Sequence, residues 1–205
     1  MNPKELIKCI NASCKKSISP AFNLSQCNNN HNFIHYVIDG NSYAVNKQEL
    51  VKVLKWFDDF WLFIEIKFSL PWKKDVRKKD MQINISVSVF HGEDSDNKKH
   101  QLFRAEWDDY DNLDEEHAQP HWHIISIQKN ENIFEKYSDD KFEEYDFSRT
   151  EKKNKRMFDI SKIHFAMNGN WQNDGTYIHR MKSEQQIVNW LQGMLSHLWS
   201  ELESL

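Results

Sequence analysis

Strict alternation marks the middle of the chain. In "MQINISVSVF", Ile83, Ile85, Val87 and Val89 fall on one side, and Asn84, Ser86 and Ser88 on the other. That is the period of a strand with one face on a core. "HQLFRAEWD" repeats it, with Phe103, Ala105 and Trp107 sharing one face and Arg104, Glu106 and Asp108 the opposite one. An acidic loop over 108–116 leads through Pro120 into a third strand, "HWHIISIQ". Upstream, Ile64, Ile66 and Phe68 alternate with Glu65 and Lys67 in a strand that ends before Pro71. "FDISKIHFAMNGNW" has the same character, with Ile163, Phe165 and Met167 opposite His164.

Helical periods appear at the ends and once between. Ser183 followed by Gln186 forms a capping box, and Ile187, Leu191, Met194, Leu195, Leu198 and Leu202 make an apolar stripe behind it. Asn2, Pro3 and Glu5 supply a cap, a first-turn proline and an acidic third residue, predicting a short helix through about Ile10. Asn46 and Glu49 repeat the cap pattern. Leu50, Val53, Leu54, Phe57, Phe60 and Trp61 then recur at helical spacing, which predicts a second helix there. "SQCNNNHN" reads as a polar loop, and "NFIHYVIDGNSYAV" as a hairpin turning on Asp39-Gly40. The charged stretch 130–156 reads as a long surface excursion. The order of elements predicts an α+β protein with an antiparallel sheet, helices packed on it and an amphipathic C-terminal helix. A single domain over 1–205 is expected, with 1–32 as a loosely attached N-terminal segment.

Composition narrows the classes. The 8 Trp and 13 Phe supply a core and argue against disorder, while 5 Gly and 4 Pro leave little material for linkers. A formal charge of −4 gives no global basic field for nucleic acid. A local one exists in "WKKDVRKKD", where Lys73, Lys74, Arg77, Lys78 and Lys79 follow Trp72. Such a run is either a solvated loop or a phosphate-contacting finger with Trp72 free to stack on a base. The N-terminal stretch lacks the apolar core of a secretory signal, and no apolar run is long enough to span a membrane. Cys9, Cys14 and Cys27, odd in number, fit a reduced cytoplasmic protein. Cys14, Cys27 and His31 are spaced C-x12-C-x3-H, without the close pairing of structural zinc sites, so three ordinary thiols are expected.

The candidate chemistry lies where the strands carry charge. His121 and His123 point the same way, as do Arg104, Glu106 and Asp108. If the two strands pair across the acidic loop, two imidazoles, a guanidinium and two carboxylates gather on one face. His121, His123 and Glu106 could then perform acid–base catalysis while Arg104 holds a phosphate. His121 and His123 with Asp108 could instead ligate a divalent zinc, manganese or iron ion. His164 could join from another strand, and His117 could approach a ligand from the loop. Continued alternation puts Ile125 and Ile127 on the histidine face, so the alternative is a buried polar network capping the core. Trp107 and Trp122 read as packing. No H-E-x-x-H, G-x-S-x-G, phosphate-binding loop or dinucleotide fingerprint is present.

The pattern "FRAEWD…HAQPHWHI" resembles the core of TumE-like toxins from bacterial toxin–antitoxin and phage-defence loci: an arginine-and-acid strand, an acidic loop, then P-H-x-H. The matching residues are Arg104, Glu106, Asp108, Pro120, His121 and His123, within 103–124 of the 205 residues. The resemblance implies a prokaryotic cytoplasmic protein that works with a partner subunit and acts on RNA or DNA. The leading expectation is therefore a defence-type nuclease or phosphodiesterase, with Trp72, Lys73, Lys74, Arg77, Lys78 and Lys79 contacting the nucleic-acid backbone. The alternative is a non-catalytic subunit of a larger defence complex, with Trp190 and Trp199 of the last helix available to a partner. A small-ligand sensor using the same polar pocket is a third.

Overall fold

The computed structural model describes residues 1–30, 33–70, 81–96, 99–109, 120–125 and 181–204. All of them belong to one compact unit, Met1–Ile125 with Met167–Leu205. Its architecture is α+β: a largely antiparallel-paired set of strands with a helix from each end of the chain.

Helix α1 runs Pro3–Ser17. Asn2 caps it by accepting a hydrogen bond from the Lys4 backbone N–H at 3.0 Å. The helix continues past Ile10, because Leu6, Ile7, Ile10 and Cys14 keep one stripe buried for its full length. The Asn11 side chain ties it to the next strand, accepting from Leu24 N–H at 2.7 Å and donating to the Leu24 carbonyl at 3.2 Å. Leu6, Ile10 and Phe22 are fully buried.

Strands β1 (Leu24–Asn30), β2 (Phe33–Ile38), β3 (Ser42–Asn46), β4 (Glu49–Phe57), β5 (Phe60–Ser69), β6 (Gln82–His91), β7 (His100–Asp108) and β8 (His121–Ile124) follow. The main sheet runs β1-β2-β5-β6-β7-β8, antiparallel at each step. Along one edge of β5, β2 pairs with Glu65–Ser69 and β4 with Phe60–Leu62. β3 pairs with β4 alone.

Three sequence expectations are corrected. The helix expected from Asn46 is the β3–β4 hairpin and the start of β5. Lys47 and Gln48 form its two-residue turn, with φ of 47° and 72°, the left-handed geometry that such hairpins need. The first half of β5 is buried on both faces and β4 carries a bulge near Lys55–Phe57, so neither shows the alternation that would reveal a strand. The second half of β5 is the strand expected from Ile64, Ile66 and Phe68. Second, β2 and β3 are strands but do not pair with each other; Asp39-Gly40 is a corner between sheet positions. Gly40 is required there, since a Cβ would lie 2.5 Å from the Val53 backbone nitrogen. Third, the polar run expected to be a loop is mostly β1, an edge strand with a bulge between Gln26 and Asn28.

Helix α2 spans Glu184–Glu203, capped by Ser183, whose hydroxyl accepts from Gln186 N–H at 3.3 Å. Its buried stripe is the predicted one with Val188 added. Trp190 lies 6.5 Å from the Trp107 ring and Trp199 stacks on Phe57 at 4.2 Å. Both tryptophans, expected to be available to a partner, are engaged with the sheet. The helices therefore cover the face that carries Trp107, and Glu106, one residue away, points to the opposite face.

Candidate functional site

The site begins as a register. β7 and β8 pair with Glu106 opposite His121 and Arg104 opposite His123. Directly opposed side chains share a face, so the four converge as the alternation predicted. One strand inward, Ser86 lies opposite Glu106 and Ser88 opposite Arg104. Both serines are buried, and they form a small-residue floor beside the charges.

Glu106 is the hub. Its Oε1 is 3.0 Å from Lys47 Nζ and 2.8 Å from Arg104 Nε. Lys47 stands on the β3–β4 turn, so the hairpin reaches across the sheet to β7. The Arg104 contact is an ion pair without hydrogen-bond alignment, because its buried Nε has no hydrogen-bond acceptor in line. The other oxygen, Oε2, is 3.1 Å from His123 Nε2 and 3.5 Å from His121 Nε2. The two Nε2 atoms are 3.0 Å apart. When neither ring is charged, one nitrogen donates its hydrogen and the other accepts it, so the pair can share and relay a proton. Burial alone would raise the Glu106 carboxyl. The Lys47 hydrogen bond and the charges of Arg104, Lys47 and His123 outweigh it and hold the group below its ordinary value. Glu106 is thus an anion around neutral pH.

The cluster is partly open. Side-chain exposure rises from 12 % at Arg104 and 17 % at Glu106 to 21 % at His121 and 43 % at His123. At the strand end Ile125, on the histidine face by continued alternation, is half-buried, and Ile127 lies outside the described residues. A solute can therefore reach the imidazole edge, while Arg104 and Glu106 are held from below. Trp107 is fully buried, and Trp122 packs 6.1 Å from the Phe103 ring, so both tryptophans serve packing.

Asp108 shares the face but lies one pair further along, opposite Asn84 and past His121, the first residue of β8. Among the described residues, the three side chains whose donor atoms gather closely enough for one ion are Glu106, His121 and His123. Trp72, Lys73, Lys74, Arg77, Lys78 and Lys79 lie outside the described residues, as do His31, His117, Ile127 and His164. Cys14 is buried in α1, with its thiol pushed up to about 12 by burial; Cys9 and Cys27 are exposed thiols. Sequence reasoning missed Lys47. Reading "SYAV" and "LVKVLKWF" as strands around a two-residue Lys47-Gln48 turn was the available signal, but its contact with Glu106 spans 59 positions. A broad groove lined by Lys4, Lys8, Lys15 and Tyr36 runs along α1, and none of its lining residues belongs to the cluster.

No family model, no curated protein and no solved structure matches the chain. Among the described residues, no helix is long and apolar enough to cross a membrane.

Proposed function

We propose that the β7–β8 cluster hydrolyses phosphate esters of nucleic acids or nucleotides, in a defence- or toxin-type setting. The observation that carries this reading is the division of labour around one carboxylate. Two imidazole nitrogens face Oε2, while two cationic side chains face Oε1. Phosphoester hydrolysis needs a group that activates water and cations that hold the phosphate and take up its developing charge. His121 and His123 supply the first, as a proton-sharing pair or by holding an ion, and Glu106 orients them. Arg104 and Lys47 supply the second. The basic run from Lys73 to Lys79, with Trp72, is assigned to backbone contacts beyond the cluster.

The test is turnover of RNA, DNA and cyclic nucleotides by the purified protein, with and without Mn²⁺ or Zn²⁺. Cleavage that His121→Ala and His123→Ala abolish supports the proposal; cleavage or toxicity indifferent to both sinks it.

A second reading, a non-catalytic subunit of a prokaryotic complex, is supported by one feature. Tyr43, Val45 and Leu50 are large apolar residues exposed on the β3–β4 hairpin, with Val45 directly opposite Leu50. Size-exclusion chromatography with the products of neighbouring genes discriminates: a stoichiometric complex without intrinsic turnover favours the subunit.

A further inference from the structure

We infer that Glu106, His121 and His123 hold a single zinc-class divalent ion through Oε2 and the two Nε2 atoms. The inference deepens the hydrolytic reading but needs only the geometry to stand. Three electron-pair donors point at one another with separations of 3.0, 3.1 and 3.5 Å. In a tetrahedral or octahedral zinc site, neighbouring ligand atoms are about 3.0–3.4 Å apart, because each bond is roughly 2.1 Å. A triangle of the observed sides has its corners about 1.9 Å from its centre, so an ion ~2.1 Å from each donor sits about 1 Å off that plane. The three donors then occupy one side of the ion and leave the solvent side open. His123, the most exposed of the three, marks that side.

The surroundings fit such a site. Lys47 and Arg104 engage Oε1 and so leave Oε2 directed at the histidines. A ligating carboxylate is commonly fixed in this way by partners on its second oxygen. Two imidazoles and one carboxylate also select zinc, cobalt or iron over magnesium or calcium, which prefer all-oxygen shells. The ion's ligand is Glu106 rather than Asp108, because Asp108 lies past the start of β8, one pair beyond His121. A water bound on the open side would lose a proton near neutrality. In the hydrolytic reading its oxygen bonds to phosphorus, the ester P–O bond breaks, and the leaving oxygen takes up a proton.

The experiment uses the full chain, freed of metal with a chelator and titrated with Zn²⁺ by calorimetry and with Co²⁺ by visible absorption. One equivalent per chain is expected, with ligand-field bands in the cobalt form. Glu106→Gln, His121→Ala and His123→Ala should each weaken binding by more than the ~10–100-fold that a supporting residue is worth. His100→Ala, an exposed histidine at the start of β7, should leave it unchanged. Unaltered stoichiometry and affinity in the three ligand variants, or no stoichiometric binding by the natural chain, overturns the inference. Should the variants fail to fold, the natural chain decides the matter. Zn²⁺ should protect His121 and His123 from diethylpyrocarbonate, read by peptide mass spectrometry, and equal modification with and without Zn²⁺ overturns it. Phosphoester cleavage by a chain that binds no metal defeats this inference and spares the function. Stoichiometric metal without cleavage of any phosphoester does the reverse.

Discussion

Glu106 and Glu65 are two acids on the same sheet face, each held by a histidine and a lysine, and they behave differently because of where they stand. Glu65 is buried on the central strand, with Lys67 Nζ at 2.8 Å and His35 Nε2 at 3.2 Å from its Oε2. Burial alone would raise its carboxyl, yet those hydrogen bonds and charges outweigh it and hold the group at about 2. Because that value is below the ordinary 4.5, ionised Glu65 favours the fold above about pH 4.5, and the contribution is lost as pH falls toward 2. Glu65→Gln should therefore cost about 1–3 kcal/mol at neutral pH and progressively less in acid. Urea midpoints of both proteins at neutral pH and in steps down to about pH 2.5 check this, and a gap independent of pH contradicts it. Lys47 belongs to the site rather than to the fold, since half of its side chain is exposed. Lys47→Ala should change stability by no more than about 1 kcal/mol. In the proposed hydrolytic function it should nonetheless lower the rate roughly tenfold, by removing one of the two cations on Oε1. Cys14 should resist alkylation in the native protein, its thiol being buried and raised to about 12, whereas the exposed Cys9 and Cys27 should label. Mass spectrometry before and after denaturation separates the three.

Among the elements, two glycines make opposite predictions. Gly40 turns the chain from β2 to β3 against the backbone of β4, where a Cβ would meet the Val53 nitrogen at 2.5 Å. Gly40→Ala should cost about 1–3 kcal/mol or more through overpacking against an unyielding strand. Gly193 lies in α2 with nothing near its missing Cβ, so Gly193→Ala should stabilise by about 0.5–1 kcal/mol. Thermal denaturation of both variants reads the two signs. The same scale explains what sequence could and could not reveal. β6, β7 and β8 were legible because each has one polar face, and that alternation also fixed which side chains meet. The caps of α1 and α2 were legible because Asn2 and Ser183 act locally. β4 and the first half of β5 were not, since residues 60–64 are buried on both faces and the β4 bulge breaks the period, leaving Val53, Leu54, Phe57, Phe60 and Trp61 to mimic a helix. The second half of β5, where Glu65 and Lys67 alternate with Ile64, Ile66 and Phe68, was legible. β1 was hidden for the opposite reason, as a polar edge strand with almost no buried side to pattern.

At the scale of the molecule, the sheet separates the apolar core from the polar cluster. One face carries Ile66, Ile85 and Trp107 in register beneath the helices. The other carries a polar row, from Glu65 through Ser86 to Glu106 and His121. The β3–β4 hairpin closes over that face far enough to bring Lys47 onto Glu106, and it leaves His123 at the open end. The row is buried at Glu65 and Ser86 and opens to solvent at His121 and His123, where a ligand can reach it, the condition that the proposed hydrolysis requires. The long-range contact of Lys47 was invisible in the sequence because strand order, not spacing, creates it. The most direct test is the single-turnover rate of phosphoester cleavage by the natural chain and by Glu106→Gln, which preserves shape and removes the charge at the hub. A fall of about 10²–10⁴-fold, with the fold retained, is the expected result; cleavage at an unchanged rate would contradict the assignment of this cluster as the active centre.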